Sequence, residues 1–388
     1  MDIHLVGGAV RDLLLGRPVT DSDYVVMDAT PGEFVRRHPA ARQVGKSFPV
    51  FLLDGCQYAW PRGKTLDDDL ASRDLTINAL ALGVSPAVAG RLAAHPLALS
   101  DLLHKILRPC SDSSLADDPA RVYRAARFAA LLPDFVPHPD LLTGMRALAG
   151  SVALRDIFPE RVGTEIQKAL AAPRPGRFLE LLDSTRCLEP WFAELAPASA
   201  VPGGPPAHHD TSVLGHTIEV MDRLAGNPLA VWMALCHDLG KTATPKDQWP
   251  RHIGHEARGG EMALAMGNRL RLPLRFVRAG ALAAVWHMKA GRYLEMRPGP
   301  RVDLLDRLWR EELFEEMFAL AAADHPVPHN DRPAAARRDL AAMLSVHLPA
   351  SLRNMGAESG RKLRLLRCQA LARAARSDSS PPIGPVPA

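Results

Sequence analysis

The stretch MDIHLVGGAVRDLLLGRPVTDSDYVVMD, residues 1–28, leaves this chain few folds to adopt. It reads as strand, glycine turn, short helix, loop and strand, the opening of a small mixed α/β sheet. The helix begins at Gly7-Gly8 and carries Arg11-Asp12; the second strand opens on Asp21-Ser22-Asp23 and continues through the apolar Tyr24 to Met27. Side chains alternate along a strand, so Asp21 and Asp23 are predicted to share a face. Two carboxylates that close repel unless a cation lies between them. A hard ion with oxygen ligands suits such a pair, and Mg²⁺ would keep waters and recruit substrate phosphates. The glycine turn adds backbone N–H groups at a helix N-terminus, where phosphate oxygens bind well. These parts imply metal-assisted phosphoryl or nucleotidyl transfer.

At 388 residues the chain exceeds one ordinary core and predicts two to four domains. It is 47% hydrophobic and 23% charged, the balance of a folded soluble protein. No apolar run reaches the length of a membrane span and no signal-peptide pattern opens the chain, so a cytoplasmic protein without membrane partners is expected. Cys56, Cys110, Cys187, Cys236 and Cys368 form no C-x-x-C pair and read as scattered reduced thiols. A net charge of +4 permits a polyanionic partner. Alanine and leucine dominate after residue 75, which favours helix.

Further along, Thr30-Pro31 starts a helix through Arg37, and two strand-like runs, Phe48 to Leu53 and Gln57 to Trp60, meet through the hairpin signal Asp54-Gly55. In DDDLASRDLTINALAL (67–82), Arg73-Asp74 precedes what reads as a helix bearing Thr76, Asn78 and Ala79. In DDPARVYRAARFA (117–129), Asp118 is expected to N-cap a helix with Pro119 at its first position. Arg121, Arg124 and Arg127 then form a basic stripe, opposite an apolar face of Val122, Ala125, Ala126 and Ala129. An unpaired stripe of guanidiniums repels itself unless an anion lies along it, and a triphosphate suits these forks. A solvated basic helix is the plain alternative. A Pro- and Gly-rich break at 196–207 marks a domain boundary.

GGAVRD followed by the paired acids resembles the signature of the polymerase-β-like nucleotidyltransferases, in particular their bacterial tRNA nucleotidyltransferase and poly(A) polymerase branch. RDLTINAL is similar to that family's second motif, which implies that Arg73 contacts the nucleotide; Ser72 stands where another arginine is usual. Asp101-Leu102 with Ile106-Leu107-Arg108 looks like a third, structural motif. DDPAR resembles the EDxxR motif, which implies that Asp118 and Arg121 read the base edge of CTP or ATP while Arg124 and Arg127 line the nucleotide. The chemistry is coherent, because a carboxylate accepts from the exocyclic amino group that C and A carry and U lacks. The resemblance also implies nucleotide contacts from Gly8 and Arg11. In FPERVGTEIQKAL (158–170), Glu160, Arg161 and Glu165 match a neck-helix motif whose ion pairs join helices.

The second half carries His208-His209, His216, LCHDLGK with His237-Asp238, then His252, His255, His287 and Asp324. This order resembles the ligand series of HD-type phosphohydrolases. It implies His216, His237, Asp238 and Asp324 as ligands of a divalent transition metal, nickel among the candidates, with His255 and His287 at a second ion or a substrate phosphate. Such a site would hydrolyse phosphoesters, 2′,3′-cyclic phosphates among them. Beyond Pro349 a basic amphipathic helix (359–376), its polar face solvated or touching tRNA, precedes a tail whose composition reads as disordered.

The expected architecture is thus an α+β nucleotidyltransferase head over 1–110, an all-α neck and body over 111–200, an all-α HD domain over 205–345, and a basic helix with tail over 346–388. The resemblance is to bacterial CCA-adding tRNA nucleotidyltransferases with an HD tail. Expected partners are the tRNA 3′ end, CTP and ATP, in a monomer or homodimer. One departure stands out: the long flexible loop usual after the strand ending at Trp60 is here only PRGKT. Relatives that add only CC have this loop shortened, so a CC-adding enzyme is an alternative. A poly(A) polymerase, or an HD phosphohydrolase with a degenerate RNA-binding head, is another.

Overall fold

A computed structural model of the chain describes residues 1–20, 22–44, 49–205, 211–325 and 331–378, with side chains through 373. The chain divides into two compact units, Met1–Ala196 and Pro197–Ala388. Among the described residues, no helix is long and apolar enough to cross a membrane.

The first unit opens with β1 (Asp2–Val6), α1 (Gly8–Leu14), β2 (Asp23–Met27), α2 (Pro31–Arg37), β3 (Arg42–Val44), β4 (Val50–Leu53), β5 (Cys56–Ala59), α3 (Leu66–Ala71), β6 (Leu80–Gly83) and β7 (Leu92–Ala94). The seven strands form one sheet in the order β3-β4-β5-β2-β1-β6-β7. Only β2 and β5 pair in parallel, so the sheet is mixed. Local chemistry accounts for the early elements. Thr30 and Glu33 form a reciprocal capping box under Pro31. Asp54 and Gly55 both take positive φ, 50° and 78°, as a two-residue hairpin turn requires.

Alternation along the central strands feeds two layers. Val6 and Val25 point to the face packed by Leu70 of α3, whereas Leu5 points to the face packed by Ala9 and Val10 of α1. Asp23 stands directly opposite Val6 in the β1–β2 ladder. Opposed residues share a face, so Asp23 belongs to the α3 side of the sheet.

The helix expected after Arg73-Asp74 is instead a single 3₁₀ turn, Thr76–Asn78, running straight into β6. The apolar LALG segment finds a strand partner in β1, and that pairing ends the helical turn. Next come α4 (Ala98–Leu103), β8 (Ile106–Leu107), α5 (Ser114–Asp117), α6 (Arg121–Leu131), β9 (Val136–Pro137), α7 (Pro139–Leu148), α8 (Val152–Arg155), α9 (Pro159–Leu170) and α10 (Gly176–Ser184). Buried Asp101 accepts from Thr76 Oγ1 at 2.7 Å and pairs with Arg108 at 3.0 Å, holding the 3₁₀ turn against β8. Asp118 is not the side-chain cap of α6. Ala120 occupies the N-cap, and the Asp118 carboxylate turns away to Arg161 at 2.7 Å. The apolar face of α6, from Val122 through Ala129, is buried as expected.

The second unit is helical: α11 (Val213–Arg223), α12 (Pro228–His237), α13 (His255–Arg269), α14 (Leu274–Gly291), α15 (Pro298–Arg310), α16 (Phe314–Asp324), α17 (Arg332–Leu344) and α18 (Ala357–Asp378). Asn227 caps α12 by accepting from the Ala230 N–H, Pro228 fills its first turn, and Leu229 through His237 are all buried. This central helix delivers His237 to the middle of the unit. The arginines of α18 do not present a purely solvated face. Arg364 and Arg367 pair with Asp303 and Asp306 of α15 at 2.6 and 2.8 Å.

Candidate functional site

In the first unit, the glycine turn is the meeting point. Gly7 takes φ 74°, a conformation that carries a large penalty for other residues, and a Cβ there would come within 3.0 Å of Arg73 Nη1. A Cβ on Gly8 would lie 3.4 Å from Arg11 Nη2. Both guanidiniums therefore lie against the start of α1, and Asp23 sits one strand across from Val6, the residue before the turn. Asp21, the other half of the acid pair, lies outside the described residues, as do His208 and His209.

Carboxylates set each arginine. Asp12 takes Arg11 Nε and Nη2 at 3.0 and 2.9 Å, and Asn78 Oδ1 takes Nη1 at 2.6 Å. Arg73 pairs with Asp69 at 2.8 Å rather than with its neighbour Asp74. Asp74 reaches fifty residues ahead, to Arg124 at 2.8 Å. Burial alone would raise the Asp74 carboxyl. The Arg124 guanidinium, with hydrogen bonds from Asn78 and the Leu75 N–H, overrides it and holds the group at about 2. Glu165 of α9 pairs with Arg124 at 3.2 Å and Arg127 at 2.6 Å.

The basic stripe is thus neither unpaired nor a single face. Arg124 and Arg127 have acid partners, and with Arg11 they surround the Phe128 ring at 6.0, 4.1 and 5.2 Å. Three residues advance an α-helix by 300°, so each arginine is displaced by 60° from the last. Arg121 consequently turns inward. Its Nη donors go to the backbone carbonyls of Ser72 (2.6 Å), Arg73 (3.2 Å) and Ser114 (3.1 Å). Its Nε lies 3.9 Å from Asp118. The structure brings Gly8, Arg11, Arg73, Arg124 and Arg127 together, with Arg121 of α6 and Asp118 at the end of α5 bracing the same region. Asn78, Asp74 and Phe128 are the participants that motif reading does not single out as site residues. Only the apposition of non-adjacent segments exposes their roles.

In the second unit, the ends of five helices converge. His216 comes from α11, His237 and Asp238 from the end of α12, His255 from the start of α13, His287 from α14 and Asp324 from the end of α16. His216 Nε2 lies 3.3 Å from His237 Nε2 and 2.8 Å from Asp324 Oδ1, and His237 Nε2 lies 3.2 Å from Asp238 Oδ2. Atoms ligating one ion at ~2.1 Å stand about 3.0–3.4 Å apart in octahedral or tetrahedral arrangements. The observed spacing suits an ion, and the group could hold a metal. The other Asp238 oxygen, Oδ1, lies 3.6 Å from both His255 Nε2 and His287 Nε2. Buried Asp238 Oδ1 and His255 Nε2 have no hydrogen-bond partner among the described residues, an arrangement that a cation between them would relieve.

The carboxylates favour a cation at this point, and a bound metal would take the place of the proton that His237 otherwise holds. Burial would strip the proton from His237, yet the Asp238 and Asp324 carboxylates hold it up to about 10. Burial leaves His287 neutral, down at about 4. Lys241 is a further participant that the ligand order does not reveal. Nearly buried within LCHDLGK, it donates to Asp238 Oδ2 and to the Gly203 carbonyl, both at 2.7 Å. His252 stands outside the cluster, bound to Thr244 Oγ1 and the Pro202 carbonyl.

Comparison with known proteins bears on the whole chain. The Poly A polymerase head domain family matches residues 3–53, and the family described as the probable RNA and SrmB-binding site of polymerase A matches 134–199. A multifunctional CCA protein of Pseudomonas paraeruginosa is 38% identical, across 96% of this chain and 98% of the relative. The chain belongs to the multifunctional CCA protein family. Among solved structures, the Bacillus stearothermophilus CCA-adding enzyme in complex with CTP matches at a TM-score of 0.62 and 22% identity, covering 97% of this chain and 94% of that one. The Thermotoga maritima CCA-adding enzyme complexed with tRNA matches at 0.62 and 18%, covering 97% and 92%. At these identities the likeness is one of fold: a mixed-sheet nucleotidyltransferase head followed by a largely helical body, as in CCA-adding enzymes.

Proposed function

We infer that this member of the multifunctional CCA protein family is a tRNA nucleotidyltransferase, adding CCA to tRNA 3′ ends from CTP and ATP without a nucleic acid template. The carrying observation is the meeting of Arg73, Arg11 and the Gly7-Gly8 turn beside Asp23, with Arg124 and Arg127 around the same Phe128 ring as Arg11. Carboxylate oxygens at the head of β2 suit a hard ion, and Asp21 and Asp23 would hold Mg²⁺. Bound there, Mg²⁺ supplies charge neutralisation for the attacking 3′-OH and the departing pyrophosphate. Gly8, Arg11, Arg73, Arg124 and Arg127 bind and orient the triphosphate. Asp118 accepts from the exocyclic amino group of the base, with Arg121 fixed beside it. Domains at 1–110, 111–200, 205–345 and 346–388 divide this work.

The test is incorporation of labelled CTP into tRNA lacking its 3′ end. Asp21→Ala and Asp23→Ala should each abolish it; undiminished incorporation refutes the metal assignment. A CC-only enzyme is the second reading, favoured by the loop after β5. That loop is short, and the Arg62, Lys64 and Thr65 N–H groups donate to the side chains of Asp69 and Asp68. Offering tRNA ending in CC with ATP decides between them, since adenylate addition rules the CC-only reading out.

For the second unit we propose an HD phosphohydrolase-like domain acting on 2′,3′-cyclic phosphates. His216, His237, Asp238 and Asp324 would hold a divalent transition metal, nickel among the candidates, with His255 and His287 at a second ion or on substrate phosphate. The metal supplies Lewis acidity toward the phosphoester. Lys241 fixes the orientation of Asp238. The reaction class and the absence of a membrane-crossing helix among the described residues are consistent with cytoplasmic work on tRNA, as a monomer or homodimer.

A further inference from the structure

We propose that Asn78 is a positioning residue for nucleotidyl transfer, coupling the glycine-turn end of the nucleoside triphosphate site to its α6 end. The inference rests on the nucleotidyltransferase reading. It starts from an uninterrupted polar chain through the first unit. Asp12 holds Arg11, Arg11 Nη1 donates to Asn78 Oδ1 at 2.6 Å, and Asn78 Nδ2 donates to Asp74 Oδ1 at 3.1 Å. Asp74 Oδ2 accepts from Arg124 Nε at 2.9 Å, and Glu165 joins Arg124 to Arg127.

Asn78 is the one neutral link. A guanidinium only donates and a carboxylate only accepts, so a side chain joining them must do both. The amide does so at this reach, and its flip is fixed by those two neighbours. An aspartate here would face Asp74 carboxylate to carboxylate at about the distance of a hydrogen bond, and two like charges so close cannot both persist. An alanine would leave one Arg11 donor and part of Asp74 without partners inside the protein. The position is buried and lies on a 3₁₀ turn between α3 and β6, where β1 and Asp101 hold the backbone. The side chain therefore has little freedom to seek other partners.

The consequence concerns substrate geometry. Arg11 stands at the phosphate-binding start of α1, and Arg124 stands on the helix facing the nucleoside. If Asn78 fixes their separation, its loss should misplace an incoming triphosphate without altering the grip on tRNA. That is a signature a purely structural residue would not give.

The experiment measures labelled CTP incorporation into truncated tRNA by the full-length wild type, Asn78→Asp, and the double variant Asp74→Asn/Asn78→Asp, with Tm recorded for each. Asn78→Asp should lose about 10- to 100-fold in kcat/KM for CTP while KM for tRNA stays within about twofold. The double variant exchanges amide and carboxylate and so restores donor–acceptor alternation. The amide introduced at position 74 would accept from Arg124 and donate to the carboxylate introduced at position 78, which in turn accepts from Arg11. Activity should recover at least about threefold over Asn78→Asp, incompletely because the Leu75 N–H that now donates to Asp74 loses its acceptor. Should Asn78→Asp fail to fold, Asn78→Ser, too short to reach both neighbours, should show the same split between CTP and tRNA. Wild-type kcat/KM in the single variants overturns the proposal. So does a loss shared equally by tRNA KM and Tm that the double variant does not repair. A wild type that incorporates no CTP at all defeats the reading beneath the proposal, and is distinguishable because it needs no variant.

Discussion

Replacing Asp74 by asparagine should destabilise the first unit by an amount that depends on pH in a predictable way. The carboxyl is 8% exposed, and its proton affinity falls from the ordinary 3.8 to about 2, burial being outweighed by Arg124 and the hydrogen bonds from Asn78 and Leu75. At about 1.4 kcal/mol per pH unit, that depression corresponds to about 2 kcal/mol of stability. The sign follows from proton linkage. The unfolded chain binds this proton more tightly than the folded one, so the contribution is complete above pH 4 and is lost as pH falls through 2. About half should remain at pH 3. Asparagine cannot ionise, so the gap between wild type and Asp74→Asn should be about 2 kcal/mol at pH 7 and about half that at pH 3. Other acids titrate in both proteins and cancel in the comparison. Urea titrations followed by circular dichroism at the two pH values supply the numbers. A gap of equal size at both would refute the argument, since it would show that the charge on Asp74 is not what Arg124 holds.

Three further outcomes follow from particular contacts. Gly7→Ala should cost about 1–3 kcal/mol of stability from its positive φ and raise KM for CTP by displacing Arg73; an unaltered KM would remove the turn from the nucleotide site. His237→Ala should release bound transition metal, measured by elemental analysis of the purified protein, and end cyclic phosphate hydrolysis while CMP incorporation continues. Arg364→Ala breaks a pair about half exposed on both sides, so it should shift stability by at most about 1 kcal/mol and leave tRNA affinity alone; a large loss of tRNA binding would place α18 at the RNA.

What could be read from the sequence divides along the range of the interaction. The helix start at Thr30-Pro31, the Asp54-Gly55 hairpin and the opening strand, glycine turn and helix are settled within a few residues, and each stands where the sequence places it. The segment after Asp74 is different. TINALAL has the apolar content of a short helix or of a buried strand, and a run that short carries no period to choose between them. The open edge of β1 decides it, a fact about another part of the chain. Pairing of charges shows the same limit. Arg73 and Asp74 are neighbours in sequence, yet their side chains leave the backbone in different directions and find Asp69 and Arg124.

The two clusters illustrate why one constellation is easier to see than the other. In the second unit, the histidines and acids sit at or near helix ends, so burying each helix carries its ligand to the centre; order along the chain already implies convergence. In the first unit, the arginines lie on one helix, and counting by threes suggests a line of charge awaiting an anion. A helix of 3.6 residues per turn cannot keep such a line. The rotation sends Arg121 into the backbone of Ser72 and Arg73, while Arg124 and Arg127 reach Phe128 and Glu165. Their charges are already balanced by Asp74 and Glu165 before any nucleotide arrives. A triphosphate therefore does not relieve a repulsive stripe. It must compete for, or add to, guanidiniums whose directions are preset by buried acids, and the gain from binding lies in that preorganisation rather than in neutralised charge. Salt should accordingly weaken nucleotide binding less than three exposed arginines would lead one to expect, because buried pairs are screened far less than solvated ones.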